Sequence, residues 1–257
     1  MHQARKRFGQ HFLTDAQVIR DIVNAIDPTS GQHVVEIGPG LGAITLPVLE
    51  RVHEMDAVEI DRDVIAALKV SSHFAGTLRL HEADVLQFDF STLRNDGKLR
   101  VIGNLPYNIS TPLLFHLIDQ IEHIHDMHFM LQKEVVDRMA ASPGGKEYGR
   151  LTVMLAPWVR IEPLFDIAPS AFRPPPKVIS TVVRLMPHER PPFTMPNRNH
   201  FAQVVQTAFS QRRKTLRNAL QSLLDQEQIR SVGIDPGLRA EVLKPEEFAK
   251  LAALLAT

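Results

Sequence analysis

The chain has 257 residues, with 29 Lys and Arg set against 29 Asp and Glu, a formal net charge of +0. That length accommodates one full core plus a small second unit, and the balanced charge confines any nucleic-acid footprint to a local patch. The absence of cysteine removes disulfides and thiolate zinc sites and suits a reducing cytoplasm, and no apolar stretch approaches the roughly 20 residues of a membrane span.

The segment up to Asp15 is basic and acid-poor, as transit peptides are. Thr14-x-x-Gln17 is a capping-box pattern ahead of Val18, Ile19, Ile22, Val23 and Ile26, which mark an amphipathic helix. Strands are then predicted at roughly 33–37, 55–60, 78–83, 99–103 and 127–132, most of them followed by helical patterns. This alternation argues for a parallel sheet with right-handed crossovers. Residues 150–158 read as helix, and 160–167 and 177–186 as strands. Pro187 to Pro196 is proline-rich and reads as a linker. Beyond it, Phe201, Val204, Val205, Ala208 and Phe209, then Leu216, Leu220, Leu223 and Leu224, recur at helical spacing. The chain therefore divides into an α/β domain, 1–187, and a small helical domain, 188–257.

Chemistry collects at the predicted strand ends. Val34 to Ile37 runs into Gly38-x-Gly40-x-x-Ala43 and then a helical pattern. Glycines at such a turn let backbone approach a ligand, and the helix start supplies free N–H donors. Glu59, about 20 residues on, is placed to bond a ribose diol. This pattern fits both NAD and S-adenosylmethionine. Glu36, two residues before the first glycine, brings nothing to a pyrophosphate but favours a cofactor carrying an ammonium and a sulfonium. Asp84 ends the third strand, where a short polar side chain can hold an adenine amine, or else only cap a loop. Taken together, these placements favour S-adenosylmethionine.

Asn104-Leu105-Pro106-Tyr107 follows the apolar run Val101, Ile102 and precedes the helix-start signal Ser110-Thr111-Pro112. Asn104 and Leu105 offer a side-chain and a backbone carbonyl, Tyr107 an aromatic face, and Pro106 holds Leu105 extended. Two acceptors beside a ring suit the exocyclic amine of a flat base. An Asx-type turn followed by a core tyrosine is the alternative.

Arg5-Lys6-Arg7-Phe8-Gly9-Gln10-His11-Phe12-Leu13, the Glu36–Gly42 turn, Asn104 to Ser110 and Phe172-Arg173-Pro174-Pro175-Pro176-Lys177-Val178 together resemble the ribosomal RNA adenine N6-dimethyltransferases. The similarity is best to the bacterial small-subunit type. It extends to Gln211–Thr215 and Gly233–Pro236, and since its motif begins at Arg5 it leaves no room for a removable leader. The resemblance implies an α/β, Rossmann-like S-adenosylmethionine-dependent methyltransferase sheet ending in an antiparallel edge, with a small C-terminal helical domain. It implies transfer of methyl groups from S-adenosyl-L-methionine, without a metal, to two neighbouring adenosines near the 3′ end of small-subunit ribosomal RNA. The implied partner is that RNA or the small ribosomal subunit, bound by a cytoplasmic monomer with no membrane attachment. The cofactor residues are then His11, Leu13, Gly38, Gly40, Glu59, Asp84 and Asn104. His11 stands where many relatives carry asparagine, but it can still donate one hydrogen bond. Asn104, Leu105, Tyr107 and Phe172 become the catalytic set, with Phe172, exposed on a stiff proline loop, as the second wall of the base slot.

Other features are weighed against plain structural roles. His123, His125 and His128 lack neighbouring cysteine and helical spacing, and read as surface or strand-edge residues rather than metal ligands. Arg212, Arg213 and Lys214, with Arg217 a turn later, read as a phosphate-contacting helix face rather than a merely solvated one. Two other functions remain: an RNA-binding assembly or transcription factor on the same fold, and a large-subunit ribosomal RNA methyltransferase.

Overall fold

The computed structural model describes residues 11–72, 75–93 and 97–256. In chain order, its regular elements begin with β1 (Phe12–Leu13), α1 (Ala16–Ile26), β2 (Val34–Ile37), α2 (Thr45–Val52), β3 (Glu54–Glu59), α3 (Arg62–Ser71) and β4 (Thr77–Glu82). Then come β5 (Leu99–Asn104), α4 (Ser110–Asp119), β6 (Ile124–Gln132), α5 (Lys133–Met139) and α6 (Arg150–Leu155). The chain closes with β7 (Val159–Ile167), β8 (Phe172–Arg173), β9 (Ser180–Pro187), α7 (Arg198–Ser210), α8 (Leu216–Ala219), α9 (Gln226–Ser231) and α10 (Pro245–Ala253).

The main sheet has the order β4-β3-β2-β5-β6-β9-β7. Its first five strands are parallel, and β9 runs antiparallel to β6. β2 and β5 are buried on both faces: Val34, Val35, Val101 and Ile102 are each inaccessible to solvent, as expected of strands covered on both sides. Strand order reverses between β2 and β5, because the chain steps outward to β3 and β4 before returning. That reversal opens a crevice beyond the strands' carboxyl ends. Gly103 makes the β2–β5 junction close: a Cβ there would lie 2.6 Å from the Ile37 carbonyl.

Side chains tie helices to this sheet. Arg100 is buried and bonds Asp126 through Nε (2.9 Å) and Nη2 (2.8 Å), while also donating to the Ile26 and Asp27 carbonyls that end α1. α1 is capped by Asp15, whose Oδ1 accepts from Gln17 and Val18 N–H. The Thr14 capping box is corrected by one residue, since the Thr14 hydroxyl donates instead to the Ala171 carbonyl at 3.2 Å. β1 and β8 form a separate antiparallel pair, with Leu13 opposite Phe172.

Two compact units emerge. One holds the residues up to Val136 together with Ile161–Pro187; the other holds Asp137–Arg160 and the residues from His188 onward. The expected break at 187/188 is thus present, but the continuous 1–187 domain is corrected. Asp137–Arg160 belongs with the helical unit because Tyr148, 1% exposed, donates its hydroxyl to the Leu243 carbonyl at 2.7 Å. Its ring meets Phe209 edge-on, and Phe209 stacks on Phe248. No helix among the described residues is long and apolar enough to cross a membrane.

Candidate active site

At the strand-order reversal lies a cavity of about 720 Å³. The glycine turn reaches it with left-handed backbone at Gly38 (φ 65), Gly40 (φ 55) and Gly42 (φ 87), a conformation that disfavours any side chain. A Cβ on Gly38 would project into open space, so this backbone is bare toward a ligand. Gly38 N–H bonds the Val58 carbonyl at 3.0 Å and holds the turn against β3.

Three carboxylates line the cavity from successive strands, β2, β3 and the end of β4. Glu36 is 2% exposed, and burial is the main reason its carboxyl is pushed up to about 7. The nearby Thr45 hydroxyl offsets part of that rise, while Glu59 adds to it. Glu36 Oε2 has no hydrogen-bond partner, although buried acceptors normally find one. A cationic ligand group in the cavity would satisfy it. Glu59 is also raised, first by burial, with backbone bonds from Asp61 and Ile60 working against it. Its Oε1 accepts those N–H groups at 2.9 and 2.8 Å. Asp84 Oδ1 accepts from Leu86 N–H at 3.0 Å and Oδ2 from Gln87 Nε2 at 3.3 Å. Its loop-capping role is therefore real, and each oxygen retains a second lone pair for a ligand.

Asn104, Leu105 and Tyr107 line the same cavity from the end of β5. Leu105 N–H bonds the Met130 carbonyl at 3.2 Å, and Ile109 N–H closes a turn on the Pro106 carbonyl at 3.1 Å. The Tyr107 hydroxyl pairs with Ser180 Oγ at 3.0 Å. His11 and Leu13 also face the cavity, whereas the motif residues before His11 lie outside the described residues. Asn104 Nδ2 donates to the His11 carbonyl at 3.2 Å.

Every expected cofactor residue therefore lines one cavity: His11, Leu13, Gly38, Gly40, Glu59, Asp84 and Asn104. Phe172 does not. It is 1% exposed and packs with Leu13, Ile22 and Ala171 in the core, so the exposed base-stacking wall is corrected to a core side chain. The proline loop begins only after β8, once the aromatic ring has turned inward. Leu41 and Ile60, exposed apolar residues at the cavity, went unread because neither belongs to a periodic pattern.

Elsewhere, Arg212, Arg213, Lys214 and Arg217 are all exposed. The first three lie in a turn after α7 rather than on a helix, and Arg217 is in α8. Arg212 Nη2 donates to the Lys146 and Tyr148 carbonyls, both at 3.2 Å. Among the described residues no cluster of three or more His, Cys, Asp or Glu could hold a metal. His128 is not a strand-edge residue: it is buried, neither ring nitrogen makes a hydrogen bond, and Nδ1 lies 3.9 Å from Asp126 Oδ2. Burial, against the pull of Asp126, pushes it down to about 4.

A model of the ribosomal RNA adenine dimethylase family matches residues 1–257. The chain belongs to that family. This dimethylase is 54% identical over 257 residues to the ribosomal RNA small subunit methyltransferase A of Thiobacillus denitrificans, covering 100% of both chains. It is 54% identical over 253 residues to the protein of the same name from Nitrosococcus oceani, covering 97% and 95% of the two chains. Among solved structures, a dimethyladenosine transferase from Plasmodium falciparum superposes with a TM-score of 0.78 at 25% identity, covering 94% of this chain and 96% of the other. The 23S rRNA methyltransferase ErmE superposes with a TM-score of 0.74 at 21% identity, covering 96% and 100%, a likeness of fold alone. The dimethylase is thus an α/β, Rossmann-like S-adenosylmethionine-dependent methyltransferase with a C-terminal helical region. Glu36 Oε2, the bare Gly38 backbone and the Glu59 carboxylate suit that cofactor's ammonium, methionine portion and ribose.

Proposed function

We propose that the chain transfers methyl groups from S-adenosylmethionine to N6 of two adjacent adenosines near the 3′ end of small-subunit ribosomal RNA, giving N6,N6-dimethyladenosines during ribosome biogenesis. The observation that carries this reading is a single cavity lined by Glu36, Glu59 and Asp84 and also by Asn104 and Tyr107. Cofactor-binding acids and base-binding acceptors thus share one space. The choice of small-subunit RNA rests on the names of relatives 54% identical to this chain.

The N6 lone pair of adenine is delocalised into the ring and is a poor nucleophile. When bound, S-adenosylmethionine supplies an activated methyl electrophile. Asn104 Oδ1 and the Leu105 carbonyl accept the two N6–H bonds and favour a pyramidal nitrogen as positive charge develops. Tyr107 stacks the extruded base and aligns N6 for attack. The spent proton leaves to water, so no side chain is assigned as general base. After the first transfer one N–H remains, and the slot must also admit a methyl group. Arg213, Lys214 and Arg217, with Arg212 partly committed to its carbonyl bonds, contact RNA phosphates. We place the enzyme in the cytoplasm as a monomer, a setting its lack of cysteine suits.

Methyl incorporation on purified, undermethylated small and large ribosomal subunits tests this. Label is expected in small-subunit RNA, recovered as dimethyladenosine. Label confined to large-subunit RNA, or a product that is only monomethyladenosine, would overturn it.

A further inference from the structure

With Phe172 in the core, the slot around Tyr107 is supported by something else. The His11 ring stacks on Tyr107, with centroids 5.9 Å apart and planes at 27°. His11 Nδ1 lies 2.7 Å from the Pro174 carbonyl. Because a carbonyl can only accept, Nδ1 carries the proton and the ring orientation is set. The His11 backbone carbonyl takes Asn104 Nδ2 at 3.2 Å. That bond decides which end of the Asn104 amide faces where, since a reversed amide would oppose two acceptor oxygens. Oδ1 is thereby released from the His11 side.

We infer that His11 is a positioning residue for the target base: its carbonyl orients the Asn104 amide, and its ring backs Tyr107. The inference rests on the proposed base-binding role of Tyr107 and goes beyond the cofactor contact expected of His11. The ring centroids are too close to admit a base between them, which needs about 3.5 Å of contact on each side. His11 therefore supports one face of Tyr107 and leaves the other for adenine, while Ser180 Oγ fixes the hydroxyl end. The β1–β8 pair carries the device, because Phe12 opposite Arg173 and Leu13 opposite Phe172 bring His11 beside Pro174. The buried Phe172 thus serves the slot indirectly, as the anchor of that pair.

A double-mutant cycle on small-subunit substrate tests this, with His11→Ala, Tyr107→Ala and the pair, reading KM for RNA, kcat and cofactor affinity by calorimetry. His11→Ala is expected to lower kcat/KM for RNA about three- to tenfold, the scale of one aromatic pair, with a smaller change in cofactor Kd. In the Tyr107→Ala background it should have no further effect. His11→Phe, which keeps a ring but loses the Pro174 bond, should recover part of the loss. If His11→Ala melts at lower temperature, His11→Asn carries the same cycle. A tighter KM for RNA after loss of the ring would make His11 an occluding group and overturn the inference. So would an undiminished effect without Tyr107, or a loss wholly in cofactor affinity. If Tyr107→Ala itself leaves turnover intact, the base-slot reading fails first.

Discussion

Asn104 illustrates how much one side chain is asked to do. Its Nδ2 donates to the His11 carbonyl, and in the proposed base slot its oxygen accepts from the substrate amine, so Asn104→Ala removes that acceptor while leaving the acids of the cavity in place. Single-turnover methyl transfer with saturating cofactor should fall by about 10²–10³, if the oxyanion-hole scale applies to this acceptor. RNA binding should change little, and a near-normal rate would remove Asn104 from the chemistry. Glu36 carries the pH dependence. Its folded value of about 7 lies above the ordinary 4.5. In the ligand-free protein the contribution of Glu36 to stability is therefore fully present below pH 4.5 and is lost as pH rises through 7, opposite in sign to that of Asp56, whose lowered carboxyl destabilises in acid. Cofactor binding has the opposite sign, because a cation prefers the ionised acid, so affinity should rise between pH 6 and 8. Glu36→Gln should flatten both profiles relative to the parent, in urea titrations and in calorimetry. Glu36 was legible in the sequence as an acid beside a glycine turn. Its burial was not, since burial is a property of the sheet assembled around it.

The parallel strands could be read because a strand covered on both faces is a short unbroken apolar run, as in Val34-Val35 and Val101-Ile102. β1 and β8 escaped notice for the opposite reason: two residues each is too short for any period, and their pairing spans the whole first unit. Phe172 was misplaced with them. Three prolines after it describe the loop, not the direction of the ring. The buried Arg100–Asp126 pair was equally invisible, joining β5, β6 and the end of α1 through residues far apart in the chain. Arg100→Ala should destabilise the protein by about 3–5 kcal/mol, because Asp126 stays buried without a counter-ion. Pairing it with Asp126→Leu should return much of that loss, and chemical denaturation of the three variants would show whether it does.

The molecule as a whole carries no net charge to attract RNA, so the cluster after α7 must act locally. Replacing Arg212, Arg213 and Lys214 with alanine should weaken RNA binding and flatten its salt dependence by about one log–log unit per lost phosphate contact. Cofactor affinity should hold, and an unchanged salt slope would return these residues to an ordinary solvated turn. Arg212→Ala alone should also cost stability, since it removes the bonds to Lys146 and Tyr148 backbone. Those bonds belong to the interleaved chain path, in which Asp137–Arg160 leaves the first unit early and finds its partners only beyond His188. On the ribosome, where synthesis runs at about 5–20 residues per second, Tyr148 emerges well before Phe209, Leu243 and Phe248 exist to receive it. For seconds the nascent chain holds Tyr148 without the residues that bury it, a natural client for a chaperone. A chain ended at Pro187, the cut that sequence alone recommends, makes that interval permanent and should aggregate where the full chain stays soluble.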